Sequence, residues 1–392
     1  MIFECLALDA EESRVLHDID QLRERLSYTV RQPKRWIGVL RRSTFARAIQ
    51  GSNSIEGYNV TFEDAVAAVE NEEPLDATAE AWEAVRGYRD AMTYIMHLAE
   101  EPKFSFSEDI LKSLHFMMIK YDLSKRPGRY RLGHIYVRND QTGEKVYDGP
   151  DIEFVSDLMA ELIEKLNHPD NYHVLVRAAM FHLNLVMIHP FADGNGRMAR
   201  ALQTFVLARE GVGAPEFSSI EEYLGRNTQD YYNVLSDVGA GSWHPERSAR
   251  NWIRFCLTAH YRQAMTLLRR TREYEKIWEE IDDLINDVAP DRCALALFDA
   301  ALGWRVRNAT YRKAAEISEN LASRDLKLLA DQGFLTPEGE RRGRYYVAAR
   351  PLLNIRARTR ERKPIRDPFG PEVQQETKDQ PTLPGLLPKT SV

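Results

Sequence analysis

The sequence predicts a mainly α-helical protein with one β-hairpin set among the helices and a smaller mixed unit near the C-terminus. Three observations predict it. Most segments place apolar residues at helical spacing, and Val176 to Ile188 is apolar nearly all round, as a buried helix is. Residues 127–150, PGRYRLGHIYVRNDQTGEKVYDGP, leave that pattern and alternate. Residues 291–350 then run helix, helix, helix, strand, charged turn and strand.

In chain order, the first helices are expected at Glu11 to Leu26, Arg41 to Ile55, Phe62 to Glu70 and Ala79 to Leu98. Pro74 and Leu75 mark a loop before the last of these. Ile110 to Ile119 follows, and then the hairpin. Its first strand is His134 to Arg138, with Ile135 and Val137 on one face. Asn139 to Gly143 supplies turn residues, and Lys145 to Tyr147 the return. Helices resume at Ile152 to Leu166, Val174 to Ile188, Asn195 to Arg209, Gln229 to Val238 and Ala249 to Arg269. A charged helix, Thr271 to Asn286, leads to Pro290. Beyond it lie Arg292 to Leu302, Thr310 to Ala315 and Ser318 to Asp331, then the paired strands. In the last of these helices Leu321, Leu328 and Leu329 are expected inward and Ser323, Arg324 and Lys327 outward.

The chain has 392 residues, 43% hydrophobic and 29% charged, the balance of a soluble globular protein with room for two or three domains. No apolar run reaches the length of a membrane span, and MIFECLALDAEES lacks the basic start and apolar core of a signal peptide. Cys5, Cys256 and Cys293 have no metal-ligand spacing and cannot all pair, so a reducing, cytoplasmic setting is expected. Net charge is −6, but unevenly spread. Residues 1–290 hold 34 basic and 46 acidic side chains, residues 291–392 hold 19 and 13, so the two parts are expected to meet different partners.

The chemistry concentrates in residues 189–200, HPFADGNGRMAR. Glycines let a backbone approach a ligand closely, and a loop opening a helix presents unpaired N–H groups to an anion. Arg197 and Arg200, three apart on that helix, can grip phosphate oxygens. Asp193 is a hard ligand suited to Mg²⁺, and His189 is the base available near neutral pH. Pro190 helps end the preceding helix, and Phe191 anchors the loop. Taken singly, these features fit a cap, a turn and a solvated helix face. Together, after a buried helix, they describe a phosphate cradle with a nearby base.

His189, Phe191, Asp193, Gly194, Asn195, Gly196, Arg197 and Arg200 match every fixed position of HxFx(D/E)GNGRxxR. The chain thereby resembles the Fic family of protein adenylyltransferases over roughly residues 40–262. The resemblance implies a Fic-type helical bundle with a β-hairpin flap, using ATP and Mg²⁺ to move AMP onto a protein hydroxyl. It implies His189 as the base, Asp193 as the metal ligand, and Asp193, Gly194, Asn195, Gly196, Arg197, Met198, Ala199 and Arg200 as the ATP-binding run. Within that run Gly194 to Gly196 and Asn195 form the anion hole, Arg197 contacts phosphate and Arg200 the γ-phosphate. Gly196 stands where the kinase-like Doc branch usually has Lys, which favours AMP transfer.

Upstream, Glu56 falls at the end of a helix, where a negative charge is unfavourable unless it has a partner or lies in solvent. Ser52, Glu56 and Gly57 match (S/T)xxxE(G/N), the inhibitory motif of relatives with an N-terminal inhibitory helix. The resemblance implies that Glu56 pairs with Arg200, and in some relatives the same Glu supports AMP removal. It also places Ile135, Tyr136, Val137 and Arg138 of the flap beside the nucleotide, where a strand edge would hold the target segment. Tyr231, first of the pair Tyr231 and Tyr232, is implied as an adenosine contact. Self-modification and a homodimer are further implications.

The domains expected are residues 1–104, helical with the inhibitory helix; 105–262, the catalytic core; 263–290, a helical linker; 291–350; and 351–392, a basic and Pro-rich tail, disordered at least in part. The order of elements in 291–350 resembles a winged helix-turn-helix, with Arg341, Arg342 and Arg344 in the wing. Such a module binds DNA or another protein. The rival reading is a DNA-binding regulator whose catalytic-like module is a self-modifying sensor.

Overall fold

The computed structural model describes residues 1–138, 145–211, 218–285, 288–340 and 343–370. The N-terminal helices are α1 (Ala10–Arg31), α2 (Ile37–Ile55), α3 (Phe62–Glu70), α4 (Ala79–Glu100) and α5 (Glu108–Ile119). Their starts are written in the sequence. Asp9 and Glu12 form a capping box on α1, and Thr61, Thr78 and Ser107 cap α3, α4 and α5 through their hydroxyls.

The centre is a helical pair, α7 (Val174–Ile188) and α8 (Asn195–Arg209), preceded by α6 (Ile152–Asn167). In α7, 13 of 15 residues are buried, which explains why its sequence carries no polar face. Behind it come α9 (Glu221–Arg226) and α10 (Thr228–Gly239). The hairpin is β1 (Tyr136–Arg138) and β2 (Lys145–Asp148), antiparallel with Val137 opposite Tyr147. A short β3 (Gly241–Ser242) joins β2 in parallel, so that among the described residues no strand pairs with the outer edge of β1. The first strand begins at Tyr136 rather than His134, because the His134 ring turns to Asp148 Oδ1 at 3.1 Å. The expected turn, Asn139 to Gly143, lies outside the described residues.

Two expected helices are one. Ala249 to Arg269 and Thr271 to Asn286 merge into α11 (Arg250–Ile285), 36 residues with neither glycine nor proline to interrupt them. Its second half turns Tyr274 and Trp278 onto Phe298, at 5.3 and 5.2 Å between rings. Phe298 belongs to α12 (Ala294–Ala301), which is followed by α13 (Asn308–Ala314), α14 (Glu319–Asp331), β4 (Leu335–Glu338) and β5 (Tyr345–Ala348). β4 and β5 are antiparallel, and Val306 bridges to Tyr346. In α14 the buried face is Ala322, Asp325, Leu326 and Leu329, whereas Leu321 and Leu328 are half-buried; Ser323, Arg324 and Lys327 are exposed as expected. Asp325 is buried because Arg292 grips it bidentately at 2.8 Å and Tyr311 donates to it at 2.9 Å. Arg341 and Arg342 lie outside the described residues.

The tail, expected to be disordered at least in part, starts with an ordered segment. Arg350–Thr359 forms α15, whose Leu352 and Ile355 are buried. The basic run meets an acidic face of α11: Arg358 pairs with Glu280, and the Glu361 N–H donates to Glu273 at 2.7 Å. Residues 371–392 lie outside the described residues.

α2 is held against α9 by an approach that only glycine permits. A Cβ on Gly51 would stand 2.4 Å from the Glu221 carbonyl oxygen, and one on Gly225 would stand 2.6 Å from the Gly51 Cα. Both obstacles are backbone, so neither can swing aside. Gly51→Ala is expected to cost about 1–3 kcal/mol through overpacking, read as a lowered Tm. An unchanged Tm would mean that the two helices are not in this contact.

Candidate active site

The end of α7 and the start of α8 carry the loop. His189 caps α7 at φ +51°, a left-handed conformation unusual for a residue with a Cβ. Its N–H still reaches the Leu185 carbonyl at 3.1 Å. Its Nδ1 lies 3.0 Å from the Val186 carbonyl oxygen, which can only accept, so Nδ1 carries the proton and Nε2 keeps its lone pair. Burial lowers the His189 pKa from its ordinary value, against the pull of the Val186 carbonyl.

The loop is stapled from two sides. Arg131 donates from Nε to the His189 carbonyl at 3.0 Å, its N–H goes to the Pro190 carbonyl at 2.9 Å, and its remaining nitrogens reach the Gly133 and Pro150 carbonyls. It thus ties the base of the hairpin to the catalytic-like loop. The second staple is His115, stacked on Phe191 at 3.8 Å and 6°. Its Nδ1 accepts from the Gly128 N–H at 2.9 Å, so its Nε2–H donates to the Asp193 carbonyl, also at 2.9 Å. Burial pushes the His115 pKa down to about 4, which keeps this tautomer neutral.

Gly194 has φ +79° and no space for a Cβ, which would meet Ile119 at 2.7 Å. It begins α8 without any side-chain cap, so the first-turn N–H groups of Asn195, Gly196 and Arg197 have no intrahelical acceptor. A Cβ on Gly196 would lie 2.4 Å from Glu56 Oε1. The glycine is therefore where the end of α2 touches the cradle.

Arg200, 1% exposed, points at α2. Its Nε donates to Ser52 Oγ at 2.8 Å, and one Nη donates to the Ser52 carbonyl at 3.0 Å and to Glu56 Oε1 at 2.6 Å. The other Nη is buried without a hydrogen-bond partner among the described residues. Burial opposes the charge on Arg200, but Glu56 outweighs it and holds the guanidinium protonated well above its ordinary range. Glu56 itself sits one-fifth exposed at the C-terminal end of α2, and Gly57 follows at φ +84°.

A second cationic group lines the mouth. Asp193 accepts from Lys125 at 2.8 Å on Oδ2 and from the Gly194 N–H at 2.6 Å on Oδ1. Burial alone would raise its pKa, but Lys125 and Arg197 outweigh it and hold the carboxyl below the usual range. Lys125 also donates to Tyr58 at 3.0 Å. Arg197 is fully buried, donates to Tyr121 at 3.3 Å, lies 3.9 Å from Asp193 and leaves two nitrogens without hydrogen-bond partners among the described residues. Unpaired guanidinium N–H groups in a buried site are costly, and an anion would satisfy them. Among the described residues no group of three or more His, Cys, Asp or Glu gathers as a metal centre.

A model of the Fic/DOC family matches residues 105–207, the stretch from α5 through this loop to the body of α8. Over these residues the chain is similar to the Fic/DOC family. It is 28% identical over 258 residues to a protein adenylyltransferase Fic of Nematostella vectensis, covering 64% of this chain and 56% of that protein. It is 28% identical over 207 residues to one of Drosophila mojavensis, covering 51% and 39%. The chain thus spans about half the length of these relatives or less. Among solved structures, a Fic family protein of Desulfovibrio desulfuricans superposes with TM-score 0.57 at 22% identity, over 88% of this chain and 98% of that one. A Fic domain containing signaling protein of Bacteroides thetaiotaomicron gives 0.53 at 21%, over 67% and 97%. These likenesses show a mainly α Fic-type fold.

Several residues expected around the Fic loop are placed otherwise. The Asn195 side chain does not face the cavity: it brackets Phe191, accepting from its N–H and donating to its carbonyl, each at 2.9 Å. Only the Asn195 backbone is left for an anion. Met198 and Ala199 are wholly buried in the core, because positions three and four past Asn195 turn inward on a helix with one open end. Tyr231 is 1% exposed, packed by Trp252 and Phe255 with its hydroxyl on His182 at 3.0 Å, so it offers no face to a ligand. Its neighbour Tyr232 is the accessible ring, and its hydroxyl donates to the Ile55 carbonyl at 3.0 Å beside Glu56. In the flap, Tyr136 is exposed and Ile135 and Val137 are half-buried. Arg131, His115, Lys125, Tyr58 and Tyr121 were missed by sequence reading. No motif spacing joins them to the loop, and only the fold gathers them.

Proposed function

We propose that this chain transfers AMP from ATP to a hydroxyl of a protein, and that Glu56 restrains it by occupying Arg200. The observation that carries the reading is the 2.6 Å pair between Arg200 and Glu56, set directly against Gly196 in an otherwise anion-ready cradle. The names of the relatives, protein adenylyltransferases, support the same chemistry.

In this reading the α8 amides and Arg197 hold the phosphates. His189 Nε2 takes the proton from the target hydroxyl as its oxygen attacks the α-phosphorus in line, and pyrophosphate leaves. The lowered His189 pKa keeps Nε2 free to accept. The donor set at Asp193 fits Mg²⁺: a single carboxylate beside phosphate oxygens is its usual company, although Lys125 has to yield Oδ2. Bound there, Mg²⁺ would neutralise charge on the polyphosphate. The outer edge of β1 is suited to an extended target segment through main-chain hydrogen bonds. In place of Tyr231, the ring available to stack on a base is Tyr232.

Label position tests the reaction. Incubation with ATP labelled at the α-phosphate is expected to label protein, the chain itself or an added target, and γ-label is expected to leave it unlabelled. The reverse pattern would make the chain a kinase and sink the reading. The pH profile follows from His189. A base acts only when neutral, and a pKa depressed below about 6.5 moves the acid-side loss of kcat/KM to lower pH. Activity is expected to persist through pH 6.5 on the way down. A midpoint above 7 would exclude His189 as the base in this environment.

A second reading concerns residues 291–350 as a winged helix-turn-helix. Exposed Arg324 and Lys327 on α14 and Arg344 beside the β4–β5 hairpin support DNA binding. Salt-dependent binding of duplex DNA, lost in Arg324→Glu/Lys327→Glu, is the expected result if it holds. That module could serve an enzyme or a regulator whose Fic part modifies itself.

A further inference from the structure

On the other side of α2 from the loop, a cleft of about 530 Å³ opens between α2, α9, α11, α12 and α15. None of its walls belongs to the Fic loop. Arg47 of α2 faces it, nine residues before Glu56 and so about 13 Å along the helix. Arg226 of α9, Arg269 and Arg270 of α11, and Arg356, Arg360 and Arg362 from α15 and just beyond complete the basic lining.

These charges are not balanced among the described residues. Arg226 and Arg270 both sit on Glu222 at 2.7 Å, and Arg47 Nε stands 4.0 Å from the same carboxylate. Three guanidiniums therefore share one negative charge. Arg47 Nε is buried without a hydrogen-bond partner among the described residues, its guanidinium lying 4.2 Å over the Phe62 ring. Among the described residues Arg269 hydrogen-bonds only to a carbonyl, that of Lys363. Arg356, Arg360 and Arg362 make no ion pair among the described residues, and all three are exposed to the cleft or its rim. Of the two acidic residues in the lining, Glu361 pairs with Arg272 at 2.9 Å, while Glu273 accepts from the Glu361 N–H and also acts on Arg270, so the lining stays strongly basic. The backbone also makes room for the charge. Gly303 has φ +85°, and a Cβ there would fall 1.8 Å from an Arg356 nitrogen.

Guanidiniums converging from separate elements on a concave space suit several phosphate groups at once, and the volume is that of a small-ligand site. A duplex cannot enter a cleft walled on several sides, whereas a short phosphate chain can. We propose that this cleft binds a small soluble polyphosphate, a second anion site of the chain separate from the Fic loop.

Titration calorimetry of the full chain with inorganic tripolyphosphate, at about 0.15 M salt where exposed charges are screened, tests it. One site is expected, weakened at least tenfold in Arg356→Ser/Arg360→Ser, whose side chains are exposed and carry no fold contact by ion pair. Arg200→Ala, in the Fic loop, is expected to leave it unchanged. Undiminished binding in the double variant, or loss in Arg200→Ala, would overturn the proposal. So would binding of a 20-base-pair duplex that depends on Arg356 and Arg360 without any uptake of tripolyphosphate. Repeating the titration with ATP on Arg200→Ala separates the sources. Binding tighter than tripolyphosphate assigns a nucleotide and equal binding the phosphate chain alone, and either supports the site if it is lost on adding Arg356→Ser/Arg360→Ser; binding that survives that addition belongs to the Fic loop and counts against the proposal.

Discussion

Glu56→Gly is expected to raise the initial rate of AMP transfer by about tenfold or more, within the range of coupling free energies that link two ligands of one site. The proposed competition is for Arg200, one Nη of which donates to Glu56 at 2.6 Å while the other has no hydrogen-bond partner among the described residues. A γ-phosphate is the group that would satisfy both. The same substitution has a signature in stability. Breaking a buried pair by removing one partner leaves an uncompensated charge, which costs about 3–5 kcal/mol in full burial. Here Ser52 still accepts two bonds and Glu56 is one-fifth exposed, so the loss is expected below that range. Tm without nucleotide should therefore fall, and ATP should restore it by more than it stabilises the unsubstituted chain, since a ligand bound to the native state stabilises by mass action. Glu56→Gln separates charge from space, because it keeps the side chain against Gly196 and removes the competing anion. Transfer rates equal in all three forms, with equal ATP-induced shifts in Tm, would end the inhibition model.

How far the sequence foretold this arrangement differs from residue to residue. The loop was legible because its constraints are local. Gly194 needs a left-handed backbone, Gly196 a close approach, and His189 a helix end, and all fall within eight positions. The Glu56–Arg200 pair spans 144 positions and was legible only through a second motif. What stayed hidden is tertiary. Arg131 spends its whole guanidinium on carbonyls, an arrangement with no side-chain pattern to find. Asn195 was expected to face an anion, yet its amide is complementary to the Phe191 peptide four residues back, and a buried peptide left unpaired would be the costlier outcome. Tyr231 and Tyr232 show the limit of a paired motif: adjacent helical residues point about 100° apart, so one enters the core and the other meets solvent. The break placed after Arg269 rested on a shift from apolar to charged sequence. Composition changed there because the helix leaves one layer of the core for another, while nothing in the backbone required it to stop. The start of the tail was hidden for the converse reason. Arg358 looks solvated in isolation, but Glu280 of α11 pairs with it, and Glu273 accepts from the Glu361 N–H.

Removing the imidazole is expected to lower AMP transfer by about 10²–10⁴-fold, the usual range for a general base. The substitution has to be chosen with the backbone in mind. His189 sits at φ +51°, and alanine there carries the strain of a left-handed residue with no hydrogen bond to offset it. His189→Ala therefore mixes lost chemistry with a loosened loop, since the His189 and Pro190 carbonyls are what Arg131 holds. Asparagine tolerates the left-handed region and cannot serve as a base near neutral pH. His189→Asn should keep the Tm close to that of the unsubstituted chain, keep ATP binding, and lose transfer as completely as His189→Ala does. The combination with Glu56→Gly is the sharper measurement. Release of Arg200 acts on how the nucleotide lies, and the imidazole acts on the attacking hydroxyl, so the doubly substituted chain should bind ATP like Glu56→Gly and transfer like His189→Asn. A double variant that transfers at the Glu56→Gly rate would show that the proton leaves the target hydroxyl by another route, and Nε2 of His189 would then be a feature of the fold rather than of the reaction.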